Sequence, residues 1–258
     1  MKQILSPHNT QLKHLAKLAK SAKYRRESRQ TVLEGAHLLD ALLQTGARPQ
    51  QVYVAADRLD DGEIQGLLAR LAQEDVTAVG GGLLAKASAL SDGGGLLALA
   101  EIPAATAPPQ SGDCVVLERI QDPGNIGTIL RSAAAAGVKN VVLGRDCADV
   151  WSPKVLRAAM GAHFLLSLYP DTDLAQWLPL YREPLRVTAL DESAQSLYVL
   201  DLRRPCGWLF GNEGSGVSDE ARRAAADSVV IPMAGATESL NVAMAATVCL
   251  FEQMRQRL

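Results

Sequence analysis

The sequence predicts an α/β protein of two units, a small one at the N-terminus and a second built on a mainly parallel sheet. Three observations carry this. In the second half, short continuous apolar runs (CVVLERI, VKNVVLG, GWLFG, VVIPM) recur with helix-like segments between them, as in strands covered on both faces. In the first hundred residues, shorter apolar strands and amphipathic segments also alternate. Between them, PAATAPPQSG (103–112) has three prolines and no apolar periodicity, which marks a linker between units at 1–102 and 113–258.

From Asn9 to about Lys23, Leu12, Leu15 and Leu18 fall at helical spacing with alanines between them, and the lysines fall mainly on the other side. TVLEG (31–35) reads as a strand, AHLLDALLQTG (36–46) as a helix closed by Gly46, and QVYVAA (51–56) as a strand. IQGLLARLAQ (64–73) reads as a helix, with VTAVG (76–80) and GGGLLALAEI (93–102) as strands. The second unit opens with the strand CVVLERI (114–120), followed by the small-residue helix GNIGTILRSAAAAG (124–137) and the strand VKNVVLG (138–144). SPKVLRAAMGA starts a helix with Ser152 as N-cap and Pro153 at its first position. FLLSLY (164–169), LRVTAL (185–190), GWLFG (207–211) and VVIPM (229–233) read as further strands. SLNVAMAATVCLFEQMRQRL (239–258) is a helix apolar nearly all round, which places it deep in a core or at a subunit interface.

Apolar residues are 48% and charged residues 21% of 258, and no run approaches a membrane span or a signal peptide. Cys114, Cys147, Cys206 and Cys249 form no metal or redox pattern and read as free thiols of a cytoplasmic protein. The net charge of −2 conceals an asymmetry. Residues 1–30 carry eight basic side chains (Lys2, Lys13, Lys17, Lys20, Lys23, Arg25, Arg26, Arg29) against the single acid Glu27. Such a cluster on an acidic body suits a polyanionic partner, above all nucleic acid; the alternative is a solvated helix face.

In an open α/β sheet, ligands sit beyond the carboxyl ends of the strands. Three polar, glycine-rich loops fall there: QDPGN (121–125), GNEGSG (211–216) and AGATESLN (234–241). Each member has two readings. Asn125 and Ser239 could be helix caps or site residues, and Glu213 a solvated turn residue or a site carboxylate. Arg131 cannot shed its charge, so it must reach water, a phosphate or a carboxylate such as Glu213 or Glu238. The glycine spacing of GNEGSG and its late position exclude a dinucleotide fingerprint, and with it a nucleotide-dependent oxidoreductase. A P-loop, a metal-ligand spacing around His8, His14, His37 and His163, and a GxSxG elbow are all missing from the sequence.

In this order, LERIQDPGNIGTILRSAAAAG, WLFGNEGSGVS and VVIPMAGATESLNVAMAATVCLFE resemble the three signature motifs of the SpoU (TrmH) family of RNA ribose methyltransferases, in the SPOUT superfamily. Residues 1–102 look like that family's RNA-substrate-binding domain, notably in TVLEGAHLLDALL and GGGLLALAEI. The resemblance implies S-adenosylmethionine as methyl donor, an RNA 2′-hydroxyl as acceptor, a homodimer, and a C-terminal trefoil knot. By position, it implies that Leu209, Gly211, Ile231, Met233 and Leu240 wrap the cofactor, and that Asn125, Arg131, Glu213, Ser239 and Asn241 form the catalytic, RNA-facing set. Lys13, Lys17, Lys20, Lys23, Arg25, Arg26 and Arg29 are the expected RNA-binding residues. Ribosomal RNA is the expected substrate; transfer RNA and a non-catalytic RNA-binding dimer are the alternatives.

Overall fold

The computed structural model describes residues 1–80, 82–90, 95–104, 106–189 and 194–258. Gly93 and Gly94 of the expected strand 93–102, Ala105 of the linker and Leu190 of LRVTAL lie outside them. The chain divides into two units, one of residues 1–104 with 151–164 and one of 105–150 with 165–258.

In the first unit, β1 (Lys2–Ile4) precedes α1 (Thr10–Lys20), α2 (Ala22–Ser28), β2 (Gln30–Glu34), α3 (Ala36–Gln44) and β3 (Gln51–Ala55). Then come α4 (Gly62–Leu68), β4 (Val76–Val79), α5 (Leu83–Ala87) and β5 (Leu96–Glu101). The sheet order is β1-β4-β3-β5-β2, with β5 antiparallel to both neighbours and the remaining pairs parallel. The Asn9 side chain caps α1, which buries Leu12, Leu15, Leu18 and Ala19. The single helix expected to run to Lys23 is broken at Ser21, whose extended backbone ends α1 and whose side chain caps α2.

Arg25 corrects the sequence reading. Expected on an RNA-binding face, it is 4% exposed and donates to the carbonyls of Leu18 and Ala19. It serves as an internal cap for the free carbonyls at the end of α1.

The second unit contains β6 (Cys114–Leu117), α6 (Pro123–Ala135) and β7 (Asn140–Gly144). The next helix, α7 (Pro153–Ala159), has the expected Ser152 cap and Pro153 start. Its segment 151–164 packs with the first unit, although the sequence division assigns it to 113–258. Thr31 donates to the Trp151 carbonyl at 2.8 Å, and a Cβ on Gly161 would stand 2.6 Å from that of Ala41. These are contacts between distant segments, which local pattern cannot report.

The chain continues through β8 (Ser167–Thr172), α8 (Leu174–Trp177), β9 (Leu185–Thr188), β10 (Gln195–Ser196), β11 (Gly207–Phe210), α9 (Asp219–Ala224), β12 (Asp227–Val230) and α10 (Val242–Arg255). All pairs in this seven-stranded sheet are parallel, in the order β10-β12-β9-β11-β6-β7-β8. Two expected strands shift. β8 starts at Ser167 because Ala162–Leu165 forms a 3₁₀ turn, and β12 stops at Val230, two residues before Pro232. The chain steps from β6 outward to β8, then returns to lay β9, β11 and β12 on the other side. Connections from β6 and β11 therefore leave in opposite directions, which opens a crevice at their carboxyl ends.

The last helix packs on α6 and β11, burying Ala243, Ala246, Cys249 and Leu250. Ser132 and Thr247 join the two helices through a 2.7 Å hydroxyl pair. Its other apolar side chains are open: Met244 is 48% and Phe251 40% exposed, with Leu240 beside them at 39%.

Candidate functional site

The three loops singled out in the sequence meet at the β6–β11 crevice. Asp122, not Asn125, caps α6, accepting the Asn125 backbone N–H at 2.8 Å. This leaves the Asn125 side chain free to bridge. Its Nδ2 donates to Glu213 Oε1 at 2.6 Å, and its Oδ1 accepts from Asn241 Nδ2 at 3.0 Å. Asn241 Oδ1 in turn accepts the backbone N–H groups of Ala243 and Met244, capping α10. Of the two readings of Ser239, the cap is taken by Asn241 instead.

This order of donors fixes both amide orientations. Helix N–H groups only donate and an ionised carboxylate only accepts, so the chain runs one way, from α10 to Glu213. Bonds aligned head to tail polarise one another, and each strengthens the next. Glu213 Oε2 has no hydrogen-bond partner among the described residues. It is the open end of the chain.

The Glu213 loop is itself held tightly. Asn212 and Gly216 exchange backbone hydrogen bonds at 3.1 and 2.8 Å, folding the turn back over Gly211. A Cβ on Gly211 would lie 2.4 Å from the Gly216 carbonyl carbon, so only glycine fits. Asn212 Nδ2 donates to the Arg119 carbonyl at 3.0 Å. Glu118 accepts both the backbone N–H and the hydroxyl of Ser218, at 2.7 and 2.6 Å. Sequence reasoning missed Glu118, Arg119 and Asn212 as supports. Their only local signal is polarity just past an apolar strand.

The other expected residues are placed as follows. Arg131 is exposed on α6, with no hydrogen bond or ion pair among the described residues, so the salt bridges considered with Glu213 and Glu238 are not formed. It stands six residues beyond Asn125, about 9 Å along the helix and about a third of a turn around it. Ser239 is exposed in the loop before α10. Leu209 packs in the core within β11, while Gly211, Ile231 and Met233 are half-buried and Leu240 exposed in the loops beyond the strands. No group of His, Cys, Asp and Glu that could hold a metal occurs among the described residues.

A parallel sheet with three polar loops bridged at its switch point defines a ligand-binding α/β protein whose site is made by loops rather than by a glycine-rich phosphate turn. The SpoU rRNA Methylase family matches residues 113–251, and an MRM3-like substrate binding domain matches residues 9–98. The chain belongs to the SpoU rRNA methylase family. It is 36% identical, over 98% of its length and 94% of the relative's, to an uncharacterized tRNA/rRNA methyltransferase of Synechocystis sp.. It is 34% identical, over 86% of its length and 95% of the relative's, to the 23S rRNA (guanosine-2′-O-)-methyltransferase RlmB of Pseudomonas putida. Among solved structures, the SpoU methyltransferase AviRb from Streptomyces viridochromogenes, in complex with the cofactor AdoMet, matches with a TM-score of 0.84 and 26% identity. That likeness covers 97% of this chain and 98% of that one.

Proposed function

We propose that the protein transfers a methyl group from S-adenosylmethionine to a ribose 2′-hydroxyl of ribosomal RNA. The observation that carries this reading is the hydrogen-bond chain from α10 through Asn241 and Asn125 to Glu213, which unites three distant loops at the switch point of the sheet. Relatives named as rRNA methyltransferases favour ribosomal over transfer RNA.

The surrounding residues fit the cofactor. Ile231, Met233 and Leu240 offer accessible apolar surface beside the tight Gly211 turn. The backbone N–H groups of 234–240 make no hydrogen bond among the described residues, leaving donors free beside it. Bound there, the cofactor supplies an electrophilic sulfonium methyl. Gly211, Ile231, Met233 and Leu240 would hold its adenosine end, with the end of β11 at Leu209 contributing through its backbone. Threading this segment as a trefoil knot belongs to the same proposal.

Glu213 Oε2 orients the ribose hydroxyl, and Asn125 and Asn241 hold the carboxylate in place. Arg131 grips the adjoining phosphate and stabilises the developing alkoxide. A guanidinium stays protonated, so the hydroxyl proton leaves to an acceptor on the RNA or to water. Ser239, with Asn241, would fix the last loop and the methionine end of the cofactor. A second copy docked on Leu240, Met244 and Phe251 would make a homodimer in which each Arg131 serves its partner's site. Lys13, Lys17 and Lys20 line one exposed face of α1, with Lys17 Nζ 5.5 Å from the Tyr24 ring centroid. With Lys23, Arg26 and Arg29 nearby in sequence, they would neutralise RNA phosphates. No helix among the described residues is long and apolar enough to cross a membrane, and the cytoplasm is the proposed compartment.

The test is labelled methyl transfer to unmodified ribosomal and transfer RNA, followed by alkaline digestion. Label in ribosomal RNA, at one alkali-resistant linkage, is the expected result. Label confined to transfer RNA would move the substrate class, and cofactor binding with no transfer to either would overturn the reading. Reversing Lys13, Lys17 and Lys20 to glutamate should weaken RNA binding and lower the salt slope by about 2 to 3. Arg25→Ala should instead lower Tm, because it uncaps α1.

A further inference from the structure

The proposed methyl acceptor brings a nucleobase with it, and the structure has a place beside the three-loop site where that base could go. Beyond the carboxyl ends of β6, β7 and β8 lies an open cleft of about 180 Å³, lined by Glu118, Arg119, Arg145, Asp146, Thr172 and Asp173. The cleft is bonded to the site at two points. Gln121 Nε2, in the same loop as Asn125, donates to the Asp146 carbonyl at 2.7 Å. Arg119 Nη2 donates to the Gly216 carbonyl at 3.3 Å, in the loop that carries Glu213.

Two features separate this cleft from an ordinary solvated crevice. Arg119 has a left-handed backbone, with φ +56°, a conformation that side-chain-bearing residues adopt at a cost and that collects at functional sites. Its Nε is buried without a hydrogen-bond partner, and among the described residues the guanidinium is held only by the Gly216 carbonyl and a 3.9 Å approach to Glu118. Across the cleft, Arg145 pairs with Asp173 at 3.1 Å, and the Asp146 carboxylate has no partner among the described residues. Cations and carboxylates alternate on the walls. A bare phosphate suits such a lining poorly, because three acids face it. A base edge presenting a carbonyl acceptor next to N–H donors suits it well.

Resting on the methyltransferase reading, we propose that this cleft takes the base of the acceptor nucleotide and selects guanine. Asp146 accepts from the guanine N1–H and exocyclic amine, and Arg119 or Arg145 donates to O6 or N7. RNA is read in this way where bases are splayed out of the stack, and a splayed base also exposes its own ribose to the neighbouring loops.

The test is an NMR titration of the full chain, saturated with S-adenosylmethionine, with GMP, AMP, CMP and UMP as probes. GMP should perturb residues 118–119, 144–146 and 172–174 and bind at least about tenfold more tightly than the other three. Asp146→Asn and Arg145→Ala should each weaken GMP about tenfold and leave cofactor affinity unchanged. In the transfer assay, inosine in place of the mapped guanosine should raise KM for RNA more than it lowers kcat. Equal binding of the four nucleotides, perturbation elsewhere, or no GMP binding overturns the proposal. If transfer to RNA succeeds while GMP ignores the cleft, the base assignment fails and the methyltransferase reading stands. If GMP selects the cleft but no RNA is methylated, the cleft is a guanine site and its assignment to a methyl acceptor falls with the methyltransferase reading.

Discussion

The two ends of the seven-stranded sheet are built in opposite ways. At the amino ends of β6 and β11, Asp113 takes a two-pronged contact from Arg257 at 2.5 and 3.0 Å, and further bonds from Gln253 and the Cys206 backbone. Gln253 accepts the Trp208 indole N–H at 2.6 Å; Trp208 is fully buried and Gln253 is 2% exposed. Burial pushes the thiol of Cys114 up to about 12 and that of Cys206 to about 11, so both stay protonated and serve packing. At the carboxyl ends, Asn125, Glu213 and Asn241 hold one another by single bonds on exposed loops. The closed end is dense with paired groups; the open end keeps Glu213 Oε2 unspent, and Arg131 stands unpaired among the described residues about 9 Å further along α6. α10 runs from one to the other, fixing Asn241 at its start while Gln253 and Arg257 lock its end. On the proposed function, stability and chemistry are thus segregated along one helix.

The sharpest way to break this comparison is Arg131→Ala. Methyl transfer should fall by about 10²- to 10³-fold, with cofactor affinity and Tm unchanged. Loss of cofactor binding would instead make Arg131 a structural support. Asn125→Ala cuts the hydrogen-bond chain in the middle, and kcat/KM should drop roughly tenfold to a hundredfold. Its Tm should barely move; a large drop would show the open end to be as structural as the closed one. Gln253→Ala leaves a buried indole N–H unpaired and should cost about 1–3 kcal/mol in urea unfolding, with kcat preserved wherever the protein remains folded.

The smallest effect concerns Glu252 on the same helix. Hydrogen bonds from Arg255 and Gln256 hold its carboxyl down at about 2. A depressed carboxylate stabilises the fold above its unfolded pKa, near 4.5, and loses that contribution as pH falls towards 2. Arg255 is largely exposed, so solvent screens most of the gain. Thermal melts of wild type and Glu252→Gln should differ slightly at neutral pH and converge in acid. A constant difference down to pH 2 would place the effect in packing rather than charge.

Much of this was legible locally. The apolar runs at 114–117, 140–144, 185–188 and 207–210 are strands because continuous Val/Leu patterns suit a sheet covered on both faces. The three loops announced themselves by glycine and amide content at strand ends. One side chain was misread and another left open for the same reason. Arg25 looks like its basic neighbours, and Asn125 reads equally as a cap or a site residue, until the fold supplies the Leu18 carbonyl for one and Asp122 and Glu213 for the other. β1 escaped notice because three residues carry too little periodicity, and its partner β4 lies more than seventy residues away.

By itself, the sequence determined the two α/β units, the parallel character of the second sheet, the order of the three polar loops and the isolation of Arg131 among small residues. These follow from hydrophobic period and residue chemistry, which act over a few neighbours. Only the tertiary structure decided that Asn125, Glu213 and Asn241 form one hydrogen-bonded chain, that 151–164 packs with the first unit, and that α10 buries one apolar face and leaves the other open. Each of these depends on strand order, and strand order is set by packing and hydrogen bonding between segments that no local window contains.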